Sequence, residues 1–379
     1  MMRPPSVLLL GLAAVLCLAS LLHAQTVKVQ WPKSIQASLQ RAGKNRAQIE
    51  RALLKAPVSQ RPAMEFLVRY MPTRDLRKLQ AGFLLKEVSL AMKVRDKTLF
   101  GKQVPTEIYL NDVLPYANVS ETRESWRQEF QDRFLPLVRK AKTCGEAALI
   151  LNKRIFGMVK VKYSTKRRRA DQSPAESMEI GMASCTGLSI LLADACRSVG
   201  VPARLVGIPN WPNKRGNHTW VEIWDRGWHF VGACEPSREG LDHAWFRSDA
   251  ALARADDPLH SIYAVSYKHT GTLFPMVWAD KDRSVYAVNV TSRYAKAPTV
   301  TAKAPISRLM ICVRSKPGGE RVTVPVQLFD PADKKVLGQG TSKGESFDTN
   351  DYLTFEVAQQ KPLELRWGKG NSLRKRHLD

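Results

Sequence analysis

The sequence predicts an α+β protein in three parts: a helical region over 25–140, a mixed core over 141–295 and a β-sandwich over 306–370. Three observations carry this reading. Apolar residues recur at helical spacing through the first 160 positions. A buried-type helix, a strand and a tight hairpin follow one another between Cys185 and Val231. Beyond position 305 the chain alternates apolar and polar residues in short runs separated by turn residues, as a sandwich requires.

The size and composition suit this organisation. With 379 residues the chain can build two or three cores, and 44% hydrophobic with 25% charged residues is ordinary for a globular protein. The formal net charge of +24 is not ordinary. It implies affinity for acidic polymers or anionic surfaces. The basic residues are scattered, with the densest run at Lys166-Arg167-Arg168-Arg169, so specific nucleic-acid binding is not expected.

Residues 1–24 read as a signal peptide. Arg3 supplies the charge, Val7 to Leu22 is apolar, and Leu22-His23-Ala24 is an acceptable cleavage site. The apolar run of ~16 residues is short for a membrane span, and no other segment is apolar enough, so the mature chain is expected to be exported, to the periplasm or beyond the cell. Cys17 follows Val15-Leu16 rather than a small residue, which disfavours lipid attachment. Its removal leaves Cys144, Cys185, Cys196, Cys234 and Cys312. The number is odd and no two are in CxxC spacing. That argues against both a disulfide scaffold and zinc, and it leaves at least one thiol free.

In order along the chain, Ser34 to Lys55, Met64 to Met71 and Thr73 to Ala91 read as amphipathic helices. Val104 to Asn118, with Pro105 and Pro115, reads as irregular. Ser120 to Glu124 reads as a helix start for Trp126 to Lys140, and Cys144 to Phe156 as a further helix. Lys166 to Ser177 is polar and basic, hence a surface loop. From Cys185 the apolar positions Leu188, Leu191, Leu192, Ala195 and Val199 mark one helix face, ended by Gly200 and Pro202. Ala203 to Ile208 is a strand. His218 to Trp224 and Trp228 onward form a hairpin across Asp225-Arg226-Gly227. Its register pairs Trp224 with Trp228, Glu222 with Phe230, Trp220 with Gly232 and His218 with Cys234. Ser261 to Tyr267 and Ser284 to Val290 are further strands, and 296–305 is a linker. The sandwich strands are Arg308 to Val313, Arg321 to Phe329, Tyr352 to Val357 and Pro362 to Trp367, with Asp348-Thr349-Asn350-Asp351 as a turn. The tail 371–379 is basic and expected to be disordered.

One pair of residues suggests chemistry. A thiol at a helix N-terminus sits beside unpaired N–H dipoles that favour its thiolate, and a histidine within reach serves as base. Cys185 and His218 meet those two demands. The bland alternatives are a small buried hydrophobe and a satisfied core histidine. His229, His243, His260 and His269 show no metal-ligand spacing, so neither a metal nor a cofactor is expected. The glycosylation patterns at Asn118, Asn217 and Asn289 are taken as chance matches.

The stretches Cys185–Leu192, Arg197–Arg204 and His218–Glu222 resemble the transglutaminase-like superfamily. Gly227–Glu235 is similar to the third motif of the peptide N-glycanases in it, and Tyr286–Tyr294 to the strand that closes that domain. The likeness covers roughly Cys144 to Tyr294. It implies a papain-like fold with a nucleophile helix on an antiparallel sheet. It also implies Cys185 as nucleophile, His218 as base and a thioester formed from an amide. The family's third member, an Asp that orients the histidine, aligns with Gly232. Three alternatives follow: Glu235 swung round by a bend at Ala233-Cys234, a Cys-His dyad without an acid, or loss of catalysis. The Cys185 N–H, with Gln172 as a side-chain donor, would form the oxyanion hole. Trp220 and Trp228 either flank a groove or pack the core. Cys196 is read as core, and Cys234 as core or as a redox partner of Cys185. The function expected is an exported cysteine acyltransferase or hydrolase of peptide or amide bonds, with a polypeptide or cell-wall peptide as substrate. The alternative is a degenerate domain that binds such a partner without turnover.

Overall fold

The computed structural model describes residues 30–295, 306–358, 362–368 and 370–378. The expected signal peptide and linker lie outside them. Among the described residues, no helix is long and apolar enough to cross a membrane.

The helical region is built as expected but more finely divided. The run 34–55 splits into Lys33–Arg41 and Arg46–Lys55, because Gly43 adopts φ +56° and Asn45 turns its amide onto the carbonyls of Leu76 and Leu79 at 2.8 and 2.9 Å. Arg61–Tyr70 and Ala81–Arg95 complete this bundle, whose core holds Ile35, Leu39, Leu53, Leu67 and Leu84. Within 104–118, read as irregular, Thr106–Asp112 is helical. The expected helix start at Ser120 is instead a turn. The Glu121 carboxylate accepts the N–H groups of Asn118 and Val119 at 2.5 and 2.7 Å, and the helix begins at Trp126.

Two buried arginines bind this layer to the core. Arg127 pairs with Glu87 at 3.0 Å and donates to the carbonyls of Leu114, Pro115 and Arg197. Arg197 donates to those of Asp112, Ala117 and Ala203. Buried charge is tolerated only when its donors are satisfied in this way.

The cysteine helix, Cys185–Ser198, was expected to bury one face. It is buried all round beyond its first residue. It lies between the helices Trp126–Val138 and Cys144–Val159 on one side and the sheet on the other. The sheet is antiparallel. Its strands run in the order Trp228–Val231, His218–Trp224, Ala203–Ile208, Tyr263–Ser266, Tyr286–Asn289, Thr272–Leu273. The hairpin pairs Trp224 with Trp228 and Glu222 with Phe230, the expected register, but the ladder stops at Val221–Val231. The expected pairs Trp220–Gly232 and His218–Cys234 are not formed, because Cys234 takes φ +67° and turns the chain away. In the hairpin loop the left-handed residue is Arg226 rather than Gly227.

The C-terminal part is a small sandwich. A four-stranded sheet (Lys335–Thr341, Pro325–Asp330, Leu363–Trp367, Arg374–Leu378) faces the pair Leu353–Ala358 and Ile306–Ile311. Val326, Leu328, Ile311 and Leu365 lie in its core. The tail expected to be disordered is an edge strand over Arg374–Leu378. Its alternation is charge against charge, so no apolar pattern marked it. The ladder holds it, with Glu364 facing Lys375 and His377 at 3.7 and 3.6 Å.

Candidate active site

Ser184 caps the cysteine helix. Its Oγ accepts the Gly187 N–H at 3.1 Å and donates to Ala170 O, and its carbonyl takes the Leu188 N–H. The N–H groups of Cys185 and Thr186 precede these and face out of the helix end. The histidine strand is fastened to the same turn. Thr186 Oγ1 and Thr219 Oγ1 share a 3.0 Å hydrogen bond, and Ser189 Oγ donates to Thr219 O at 3.2 Å. Thr219 and His218 are adjacent, so these bonds fix the histidine against the cysteine. The imidazole is 3% exposed and walled by the rings of Trp211, Trp220, Trp245 and Phe246.

A third side chain, from the sandwich, enters this pair. Asp348 Oδ2 lies 3.6 Å from His218 Nδ1, an ion-pair distance beyond hydrogen-bond length. One atom each of Cys185, His218 and Asp348 lie within 4.8 Å of one another. A linear thiol–imidazole–carboxylate triad would separate sulfur from carboxylate by about 7 Å or more, because the ring stands between them. Asp348 is therefore on the cysteine side of the imidazole, beside both Cys185 and His218. Burial disfavours the imidazolium, but the Asp348 carboxylate and then Cys185 outweigh it and raise His218 to about 10. Burial acts against Asp348 too, and His218 overcomes it, so that carboxylate is held below its usual range. The three groups are close enough to hold a metal ion. A metal there would need the imidazole neutral, so it would compete with the proton that the Asp348 carboxylate favours on His218.

The turn carrying Asp348 is firmly seated. Thr349 N–H donates to Tyr163 Oη at 2.9 Å, and Asn350 Nδ2 donates to Asn217 O at 2.6 Å. Arg321 donates to the carbonyls of Asp348, Thr349 and Asp351. Arg215 lies over the Tyr352 ring, and Arg308 bonds Asp249 at 2.8 Å. The turn divides two clefts that share Tyr163. One, of about 470 Å³, contains Cys185, Thr186, Arg167, Val277 and Trp278. The other, of about 670 Å³, contains Cys234, Glu235, Trp245 and Lys343.

Glu235 swings toward the Gly232 face, as the bend at Cys234 allows. Asn152 braces that bend, donating to Gly232 O at 2.8 Å and accepting from Cys234 N at 2.9 Å. A Cβ on Gly232 would stand 2.8 Å from Glu235 Oε2. The Glu235 carboxylate thus fills the space that a side chain at 232 would take. The expected contact with His218 is nevertheless not made. Glu235 accepts from Trp245 Nε1 at 2.8 Å, and His218 Nε2 is buried without a partner among the described residues. Burial, then Asp348, raise Glu235 to about 8.

Gln172 is not an oxyanion donor in this structure. Its Nε2 donates to Met182 O at 3.0 Å and its Oε1 accepts from Arg168 N at 2.9 Å, so it braces the basic loop. That loop ends earlier than expected, in a helix over Pro174–Ile180 capped by Ser173 and Glu176. Neither expected tryptophan lines the cysteine cleft. Trp220 is core, donating to Tyr294 Oη at 3.0 Å, and Trp228 lies under Arg204. Cys196 is buried in the core, and Cys234 lines the second cleft, its thiol pushed up to about 12 by burial and Glu235. All five described cysteines are free.

Asp348, Tyr163 and Asn152 had no catalytic signal in the sequence. Asp348 sat in a stretch that reads as a sandwich turn, and only the docking of the two parts gives it a place.

Residues 135–233 match the family model described as the transglutaminase-like superfamily. Within the matched segment Cys185 stands at its helix start and His218 on its strand. No curated protein matches the chain. Two solved structures are similar. One is a candidate cysteine protease from Cytophaga hutchinsonii, at 17% identity and TM-score 0.29, over 51% of this chain and 66% of that one. The other is red sea bream transglutaminase, at 8% identity and TM-score 0.29, over 64% and 55%. The chain spans less than two thirds of the length of either.

Proposed function

We propose that the chain is an exported cysteine acyltransferase or hydrolase that opens a peptide or amide bond through a thioester on Cys185. The observation that carries this is the Cys185 thiol at an open helix N-terminus beside His218, with the helix and strand locked together through Thr219. The Cys185 thiolate attacks the amide carbonyl carbon, and the oxygen takes up the charge toward the Cys185 N–H. The C–N bond then breaks, and the leaving amine takes a proton from the His218 imidazolium. Water or a second amine attacks the thioester and gives its proton to His218. The acid or new amide leaves, and the thiolate is restored.

Export rests on Arg3 and the apolar run Val7–Leu22. A polypeptide or cell-wall peptide is the substrate proposed, and the charge of +24 favours acidic surroundings. The second reading, a binding module without turnover, is favoured by the Asp348 carboxylate beside the pair and by glycine at 232.

The test is the rate of Cys185 alkylation against pH. A plateau well below the free-thiol pKa of about 8.5, lost in His218→Ala, supports the enzyme. Ordinary thiol titration that ignores His218 leaves the binding module.

A further inference from the structure

The basic run Lys166–Arg169 stands on the lip of the cysteine cleft, and its four side chains are not equivalent. Lys166 pairs with Glu320 at 2.9 Å and Arg168 with Glu179 at 2.7 Å. Arg169 pairs with Asp171 and Glu176 at 3.1 and 2.6 Å. Arg167 has no ion pair among the described residues. Its guanidinium donates to the Thr165 carbonyl at 3.2 Å, and it lines the same cleft as Cys185. The loop that presents it is rigidly held, because Gln172 takes the N–H groups of Arg168 and Arg169 and is itself tied to Met182. A partly buried guanidinium with unused donors, fixed at the mouth of a cleft, is a ready partner for a carboxylate. The cleft already accepts one: the chain's own Asp348 carboxylate sits at its inner end, against Cys185 and His218.

We propose that the cleft over Cys185 takes an acidic acyl donor, a peptide or amide bearing a carboxylate near the bond to be opened, and that Arg167 is the residue that selects it. This rests on Cys185 being the acyl-accepting thiol. The resting Asp348 side chain then stands where the acyl group of such a donor would lie.

The experiment compares two alkylating reagents on the full chain, iodoacetate with its carboxylate and neutral iodoacetamide, in the Asp348→Asn background that removes the competing charge. The ratio of their rates at Cys185 reads carboxylate recognition and cancels the reactivity of the thiol. Arg167→Gln is expected to lower that ratio at least fivefold, and Arg167→Lys to retain most of it. Glutarate is expected to slow iodoacetamide in the Asp348→Asn protein, glutaramide is not, and Arg167→Gln is expected to abolish the protection. A ratio unchanged by Arg167→Gln, or equal protection by both additives, overturns the proposal. Loss of the pH plateau in the iodoacetamide rate would instead count against the thiol mechanism, and the reagent ratio would still decide the role of Arg167.

Discussion

Replacing Asp348 by Asn removes one charge and little volume from the centre of the site. At 3.6 Å and an effective dielectric of about 20, the pair with His218 is worth up to ~5 kcal/mol. The same carboxylate is the largest influence raising His218 against its burial. With Asn in place the imidazolium loses its competing anion, and the Cys185 thiolate becomes its partner. Only part of that energy reaches the reaction, because Asn still fills the space. A gain of at least tenfold in Cys185 alkylation by iodoacetamide at pH 7 requires about 1.4 kcal/mol of it. Mass-resolved alkylation of the folded variant measures this. An unchanged or slower rate, with thermal stability retained, would refute the competition between Asp348 and Cys185 for His218 and make Asp348 a residue that helps hold the histidine.

Tyr163→Phe removes the hydroxyl that accepts the Thr349 N–H at 2.9 Å; a hydrogen bond worth about 1 kcal/mol should loosen the turn and speed the same alkylation about fivefold. Gly232→Asp should lower unfolding stability by about 1–3 kcal/mol, since its Cβ meets Glu235 Oε2 at 2.8 Å, and Glu235→Ala in the same chain should recover most of the loss in a denaturant double-mutant cycle. Stability should also depend on pH. His218 is raised above its unfolded value, so its contribution is complete below pH 6.5 and disappears as pH rises through about 10. Glu235, held neutral up to about 8, subtracts stability over the lower part of that range. Melting temperature should therefore fall by several degrees from pH 6 to pH 10, and Asp348→Asn should flatten the fall; a flat profile in the unaltered protein would contradict the ion pair.

The local parts of the site were legible because their physics is local. A cap, a cysteine and an apolar helical face specify a helix start. Alternation with a turn specifies the hairpin and its register from Trp224 to Val221. The bend that carries Glu235 toward Gly232 was conceivable from the length of a Glu side chain, but its cause was not. It needs Asn152, from a helix far earlier in the chain, to hold Gly232 O and Cys234 N. The helical turn at Thr106–Asp112 and the edge strand at Arg374–Leu378 escaped detection because neither shows the expected apolar period.

The sequence alone determined that this chain has a thiol at a helix N-terminus, a histidine on the neighbouring strand and no aspartate at the usual third position. Only the tertiary structure decided what stands in that company. Asp348 reaches Cys185 and His218 because Tyr163 and Asn217 seat a turn of the sandwich on the core. Contacts between segments more than a hundred residues apart leave no spacing to read. Burial then makes the consequence large: at 3% exposure, one carboxylate on the cysteine side of the imidazole favours its protonated form.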